Sequence, residues 1–175
     1  MNYWIVKGRP AENEFEAWLR PGRPDRWRTA APPADWKPGD RLFFWKSSPD
    51  LCVVGLGELV QIGRRQPRGR NTMFGVQYLT PMLTRPVDIE SLRRDRVMRH
   101  ASFLKPGPAT ALHRISDAQG RRLYALARRA NSFVADVWPD LAVPTPQVPD
   151  IDLIDATDEG ARRLVPNVRR DGADA

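Results

Sequence analysis

Short apolar runs recur along the chain with the period of β-strands. Residues 3–7 (YWIVK) form the first run, and Gly8 follows it at once. Another run begins after the turn pair Pro38-Gly39 and ends in four bulky apolar residues, 42–45 (LFFW). Successive side chains of a strand point to opposite faces, so an unbroken apolar run indicates that both faces are covered. We therefore predict a strand here that lies between two packed layers.

Later apolar runs predict further strands. Residues 51–62 form one of them, and Gly55 and Gly57 within it indicate a bulge or a sharply coiled strand. Residues 71–89 predict another strand, broken by Pro81, and a second extended piece that reaches the end of that range.

Helical patterns are fewer, and they cover three segments: 11–20, 88–100 and 116–131. Asp88 is placed to cap the second helix, and Leu92 is expected to face inward. The strongest pattern is the third, where Ser116 and Gln119 form a capping box. Residues 21–40 are punctuated by prolines, so we predict a loop there with at most one short strand.

Five or so short strands with a few helices predict an α+β fold, a small and strongly bent sheet or open barrel. The 175 residues suit one domain. Beyond residue 135 the chain is rich in proline and aspartate, so we predict a domain over 1–135 and an extension over 136–175 that is partly draped or mobile. No apolar run reaches the roughly 20 residues of a membrane helix, and we expect a cytoplasmic monomer without membrane contact.

The net charge of +7 is unevenly distributed. Residues 1–135 carry a net charge of +12, whereas residues 136–175 carry −5. A basic body with an acidic tail is typical of proteins with a polyanionic partner, most often nucleic acid. Charge alone also fits an arginine-rich surface that only solvates the protein.

Signatures of catalysis are absent from the sequence. It has no glycine-rich phosphate loop, no GxSxG and no HExxH. His100 and His113 do not stand at ligand spacing from another histidine or cysteine, and Cys52 lies in an apolar run where a buried, inert thiol is expected. Glu58 is the one acidic residue in its strand, and we interpret it as outward-facing. We expect a binding protein without a cofactor or metal.

Aromatic residues stand among basic and hydroxyl residues, and aromatic rings stack on nucleobases while arginines bind phosphates. Of the six tryptophans, Trp18 is expected in the core, and Trp138 is expected to anchor the tail. Trp4, Trp27 and Trp45 adjoin polar or charged residues, and the sequence leaves open whether they line a pocket or fill the core.

Four segments resemble the EVE domain family of the PUA-like superfamily, which is related to YTH-type readers of modified bases. They are YWIVKGRP at the start, KPGDRLFFWKSS with CVVGLGELV, YLTPMLTRPVDIESL, and ASFLKPGPATALHRISDAQGRRLYAL, all in the family's order over residues 2–131. The resemblance implies a PUA-like pseudo-barrel of about five to six mixed strands. It also implies recognition of a methylated or hydroxymethylated cytosine or adenine in DNA or RNA, in some relatives linked to restriction.

The positions matching the family's motifs, with Phe43 beside them, make up the implied base-binding pocket: Trp4, Trp27, Phe43, Trp45, Lys46, Ser47, Ser102 and Leu104. In this hypothesis Trp27 and Trp45 sandwich the base. The basic residues expected at phosphates are Arg64, Arg65, Arg68, Arg70 and Lys105.

Other functions stay open on the sequence. One is a generic RNA-binding PUA-like module for tRNA or rRNA. A second is an enzyme of the superfamily acting on a small amide or nucleoside, with Lys46 or Glu58 as its catalytic group. A third is an interaction module that recruits a nuclease through the acidic tail. For the base-binding module itself, a nuclease or methyltransferase encoded nearby is the expected protein partner.

Overall fold

The computed structural model describes residues 1–8, 14–63, 72–105 and 111–141. The chain divides into one unit over Met1–Ala142 and a second over Val143–Ala175, and the second lies wholly outside the described residues. The draped or mobile extension predicted for 136–175 therefore falls almost entirely outside them.

The described residues contain seven strands in one mixed sheet. They are β1 (Tyr3–Gly8), β2 (Pro24–Thr29), β3 (Arg41–Lys46), β4 (Cys52–Ile62), β5 (Thr72–Tyr78), β6 (Val87–Asp88) and β7 (Leu112–Ile115). The order is β2-β5-β4-β3-β1-β7, and β6 pairs with β4. β1 and β3 run parallel, and the other pairs are antiparallel. The predicted mixed α+β fold is confirmed, with more strands than the sequence suggested.

Helices flank the sheet: α1 (Glu14–Trp18), α2 (Ile89–Arg94) and α3 (Asp117–Ala130), with 3₁₀ turns at Met98–His100, Ser102–Leu104, Ser132–Val134 and Pro139–Leu141. The capping box of Ser116 and Gln119 is present, and Asp88 caps α2. The helix predicted over 88–100 ends early, because the Asp95 carboxylate accepts from the backbone N–H groups of Val97 and Met98 and turns the chain. Every helix in the described ranges is too short or too polar to span a lipid bilayer.

Side chains of β3 alternate between two core layers. Leu42 and Phe44 pack into one layer with Trp4, Phe15 and Tyr78. Phe43 and Trp45 pack into the other, and this alternation explains the unbroken apolar run. We call these the α1 layer and the α3 layer, after the helix that contributes to each.

Trp138 belongs to the α3 layer. It is 1% exposed, and its ring meets Tyr3, Phe43 and Tyr124 at centroid distances of 6.2, 5.2 and 5.1 Å. Leu141 is buried in the same layer, so the packed core extends beyond the boundary predicted at residue 135.

Candidate functional site

A cleft of about 700 Å³ opens at the end of β1, where α1 and β2 meet it. We call it the Trp27 cleft. Its lining residues within the described ranges are Gly8, Trp18, Arg23, Asp25, Arg26, Trp27, Arg28 and Met73. These residues come from separate segments of the chain, so the cleft exists only in the folded domain.

The pleat of β2 places Trp27 in this cleft. Along the strand Pro24, Arg26 and Arg28 are exposed, while Asp25 and Trp27 are half-buried on the opposite side. The indole of Trp27 packs on Phe44 and Phe74 of the α1 layer, at centroid distances of 5.6 and 6.5 Å. The ring is thereby held against the core and also lines the cleft.

Gly8 lets the Trp27 indole lie over the end of β1. A Cβ atom at this position would stand 3.2 Å from Cη2 of Trp27 and 3.0 Å from Cζ of Phe15, closer than a comfortable contact. The rings of Trp18 and Trp27 meet edge to face, with centroids 6.4 Å apart at 76°. They form a corner, which offers a planar ligand one stacking face at a time.

A hydrogen-bonded chain fixes the indole. Nε1–H of Trp27 donates to the Tyr78 hydroxyl at 3.0 Å, and that hydroxyl donates to Oδ2 of Asp25 at 2.8 Å. Burial is the main reason why the pKa of Tyr78 lies above its usual value, and the Asp25 carboxylate raises it further. The phenol therefore stays protonated at neutral pH and keeps donating.

The cleft is basic at its rim. Arg23, Arg26 and Arg28 are exposed, and Asp25 is the one acidic residue among the lining residues that the structure describes. Guanidinium groups around an aromatic floor suit a ligand that has both a flat ring and a phosphate.

Three of the aromatic residues predicted for the pocket are buried. Trp4 is 3% exposed, and its Nε1–H donates to the buried Asp40 carboxylate at 3.0 Å. Phe43 and Trp45 are 0% and 2% exposed in the α3 layer. Because Trp27 packs on the α1 layer, the sheet separates it from Trp45, and the two rings do not sandwich a common ligand in this structure.

The hydroxyl and basic residues predicted near the pocket are spread around the ends of β1 and β3. Lys46 is half-buried and pairs with Asp50 at 2.7 Å, and the Ser47 backbone N–H donates to the Gly8 carbonyl at 3.0 Å. Ser102 is exposed and Leu104 is 8% exposed in the α3 layer. The base-binding role of this set stays a prediction.

Among the predicted phosphate contacts, Lys105 is exposed. Arg64, Arg65, Arg68 and Arg70 lie outside the described residues.

Sequence reasoning missed most of the cleft. It did not single out Asp25, Tyr78, Arg23 or Arg26, and it placed Trp18 in the core alone. The alternation in PDRWRT, residues 24–29, is a strand pattern that puts Asp25 and Trp27 on one face, but the surrounding prolines obscured it.

No cluster of three or more His, Cys, Asp or Glu residues that could hold a metal ion is found in the described part of the chain. Glu58 is half-buried and stands opposite Arg41 across the β3–β4 pair.

Cys52 is expected to react slowly in the folded protein. It is 6% exposed, and burial raises the pKa of its thiol to about 11. At pH 8 only about one thiol in a thousand is then ionised, against roughly a quarter in the unfolded chain. We expect iodoacetamide to alkylate the native protein at least about a hundredfold more slowly than the protein in guanidinium chloride, as measured by mass spectrometry. Equally rapid labelling of the native protein would contradict the burial.

Comparison with known proteins identifies the relatives of this fold. The family model of the EVE domain matches residues 2–126. A hypothetical protein from Leishmania major superposes with a TM-score of 0.61 at 13% identity, covering 74% of this chain and 96% of that one. A Pseudomonas putida protein gives a TM-score of 0.58 at 17% identity, with coverages of 71% and 99%.

A third solved structure is human THYN1 in complex with DNA containing 5-methylcytosine. It superposes with a TM-score of 0.54 at 12% identity and covers 73% of this chain and 98% of that one. No curated protein matches the sequence.

Proposed function

The chain belongs to the EVE domain family, with a PUA-like pseudo-barrel, and on this basis we propose that it is a non-catalytic module that binds a modified nucleobase in nucleic acid. The observation that carries the proposal is the Trp27 cleft, an aromatic corner with an arginine rim at the end of β1. The complex of human THYN1 with 5-methylcytosine DNA supports the ligand class by fold analogy.

The cleft suits a single extruded base. Its volume of about 700 Å³ lies within the range of small-molecule sites. A base removed from its helix loses its stacking partners, and the Trp27 indole replaces one of them. Arg23, Arg26 and Arg28 can then meet the phosphates on either side of the base.

The proposal is tested by fluorescence anisotropy with end-labelled single-stranded oligonucleotides. Each carries one 5-methylcytosine, 5-hydroxymethylcytosine or N6-methyladenine, and unmodified oligonucleotides of the same sequence are the controls. We expect one of the modified oligonucleotides to bind more tightly than its control. Equal affinities throughout, falling steeply with salt, would refute modified-base recognition and favour the generic RNA-binding module.

Trp27→Leu is expected to weaken binding of the preferred oligonucleotide by about 5- to 100-fold, because leucine fills the space against Phe44 without offering a stacking face. The dissociation constant is measured by the same titration, and circular dichroism verifies the fold. Phe133→Leu is the matched control, since Phe133 is an aromatic residue 41% exposed outside the cleft. Unchanged affinity of a folded Trp27→Leu variant would place the base elsewhere.

We also propose that a nuclease or methyltransferase encoded nearby binds this protein. Co-purification of the full chain with the product of a neighbouring gene of either class would test it.

A further inference from the structure

The Trp27 cleft contains a carboxylate in a fixed position. Asp25 precedes Trp27 by two residues on the same side of β2 and is half-buried. Its Oδ1 accepts from the Arg26 backbone N–H at 2.7 Å, and its Oδ2 accepts from the Tyr78 hydroxyl at 2.8 Å. Two hydrogen bonds from different strands hold the group, so its position does not depend on a ligand.

The hydrogen bonds around Tyr78 have only one possible direction. An indole N–H donates and never accepts, so the Tyr78 oxygen is the acceptor from Trp27. The single hydroxyl proton of Tyr78 then points to Asp25. Tyr78 is 0% exposed, so no solvent competes for that proton. This series of hydrogen bonds therefore ends at the Asp25 carboxylate, which lies at the wall of the cleft and can only accept hydrogen bonds.

The Asp25 carboxylate keeps unused acceptor capacity. Each of its oxygens has a further lone pair beyond the hydrogen bond described. None of the ion pairs in the described ranges involves Asp25. A half-buried anion of this kind favours a ligand that brings an N–H donor and disfavours one that brings another acceptor.

We propose that Asp25 accepts a hydrogen bond from the exocyclic amino group of the bound base, so that the cleft selects amino-bearing bases of the cytosine or adenine class over keto bases. This inference rests on the proposed function. Two residues along a strand span roughly 7 Å, which lets a base stack on Trp27 while its edge reaches the carboxylate. Carboxylates recognise the cytosine N4 amino group in the same way in DNA grooves.

The 5-methylcytosine and thymine pair tests this contact. The two bases share their ring shape and methyl group, but thymine has the O4 acceptor where 5-methylcytosine has the N4 donor, and an N3–H donor where 5-methylcytosine has the N3 acceptor. We expect the wild-type protein to bind a single-stranded oligonucleotide with one 5-methylcytosine about tenfold or more tightly than the same oligonucleotide with thymine. Equal affinity or a preference for thymine would overturn the inference.

Asp25→Asn tests whether this residue recognises the exocyclic amino group of the base. Asparagine keeps one oxygen for the Tyr78 hydroxyl, gives up the hydrogen bond from the Arg26 backbone N–H, and adds an NH₂ donor that suits thymine O4. We expect the affinity ratio between the two oligonucleotides to fall to about one or to invert. An unchanged ratio in the folded variant would overturn the assignment.

Control variants distinguish the base specificity of Asp25 from a general effect of its negative charge. The outcomes also distinguish failure of this inference from failure of the proposed function. Asp117→Asn removes one negative charge from an exposed position on α3 and should leave the ratio unchanged. If Asp25→Asn does not fold, Tyr78→Phe gives a second readout, because it releases the carboxylate and should reduce the ratio. Failure of the wild type to bind any oligonucleotide would refute the proposed function itself, whereas equal binding of both oligonucleotides refutes only the role of Asp25.

Discussion

Replacing Trp45 by alanine is expected to lower the free energy of unfolding by about 3–5 kcal/mol. The side chain is 2% exposed and meets Phe103 edge to face at a centroid distance of 5.3 Å. Its removal leaves a cavity in the α3 layer that a rigid sheet cannot close. This loss is a large part of the 5–15 kcal/mol that stabilises a typical domain.

Urea denaturation followed by circular dichroism measures the effect. Phe133→Ala is the matched control, because this aromatic residue is 41% exposed and its truncation should change stability by only about 0.5 kcal/mol. A Trp45→Ala variant with wild-type stability but no base-dependent binding would instead place Trp45 at a ligand. The experiment therefore decides between the two roles that the sequence left open for this residue.

Gly120→Ala is expected to destabilise the protein by about 3 kcal/mol, although alanine is the better helix former by roughly 1 kcal/mol. A Cβ atom at this position of α3 would lie 2.2 Å from Cγ of Tyr3 and 2.4 Å from its Cδ2. The Tyr3 ring cannot yield easily, because Phe43 and Trp138 pack on it and its hydroxyl accepts from Nη1 of Arg41 at 2.8 Å. The clash therefore outweighs the helix propensity.

A double-mutant cycle with Tyr3→Ala isolates this contact. In the Tyr3→Ala background the clash is gone, so Gly120→Ala should become neutral or stabilising. The free energies of unfolding of the four proteins are obtained from urea titrations. Additive effects of the two substitutions would show that the close packing of α3 on Tyr3 is not the reason why Gly120→Ala lowers the free energy of unfolding.

The parts of the fold that were predicted correctly are governed by local physics. The capping box of Ser116 and Gln119 satisfies backbone groups within four residues, so it is legible in the sequence. β3 can be predicted equally well, because its unbroken apolar run requires packing on both faces, whichever elements supply that packing. β2 was harder to predict, since its strand pattern is short and stands among prolines, and its pairing with β5 determines its place.

The candidate site was predicted only in part, because its side chains, like β2, are positioned by contacts between distant strands. Trp27 and Trp45 look alike in the sequence, because each adjoins charged residues, Trp27 in a proline-rich segment and Trp45 at the end of a strand. Trp27 packs on the α1 layer and lines the cleft, whereas Trp45 lies in the other layer against Phe103. Asp25 was hard to single out in the sequence, since a carboxylate beside an arginine is an ordinary surface pattern and the alternation of residues 24–29 stands among prolines.

The strand and helix patterns, the basic body and the EVE family can be recognised from residue order alone, because they depend on neighbouring residues and on the order of short motifs. Which side chains share a site depends instead on contacts between distant parts of the chain. The hydrogen bond from Trp27 to Tyr78 joins residues 51 positions apart, and the sheet order that brings β2 to β5 is a property of the whole fold. All four apolar residues of the run 42–45 are buried in the core, and the cleft lies instead around Trp27 in the proline-rich segment.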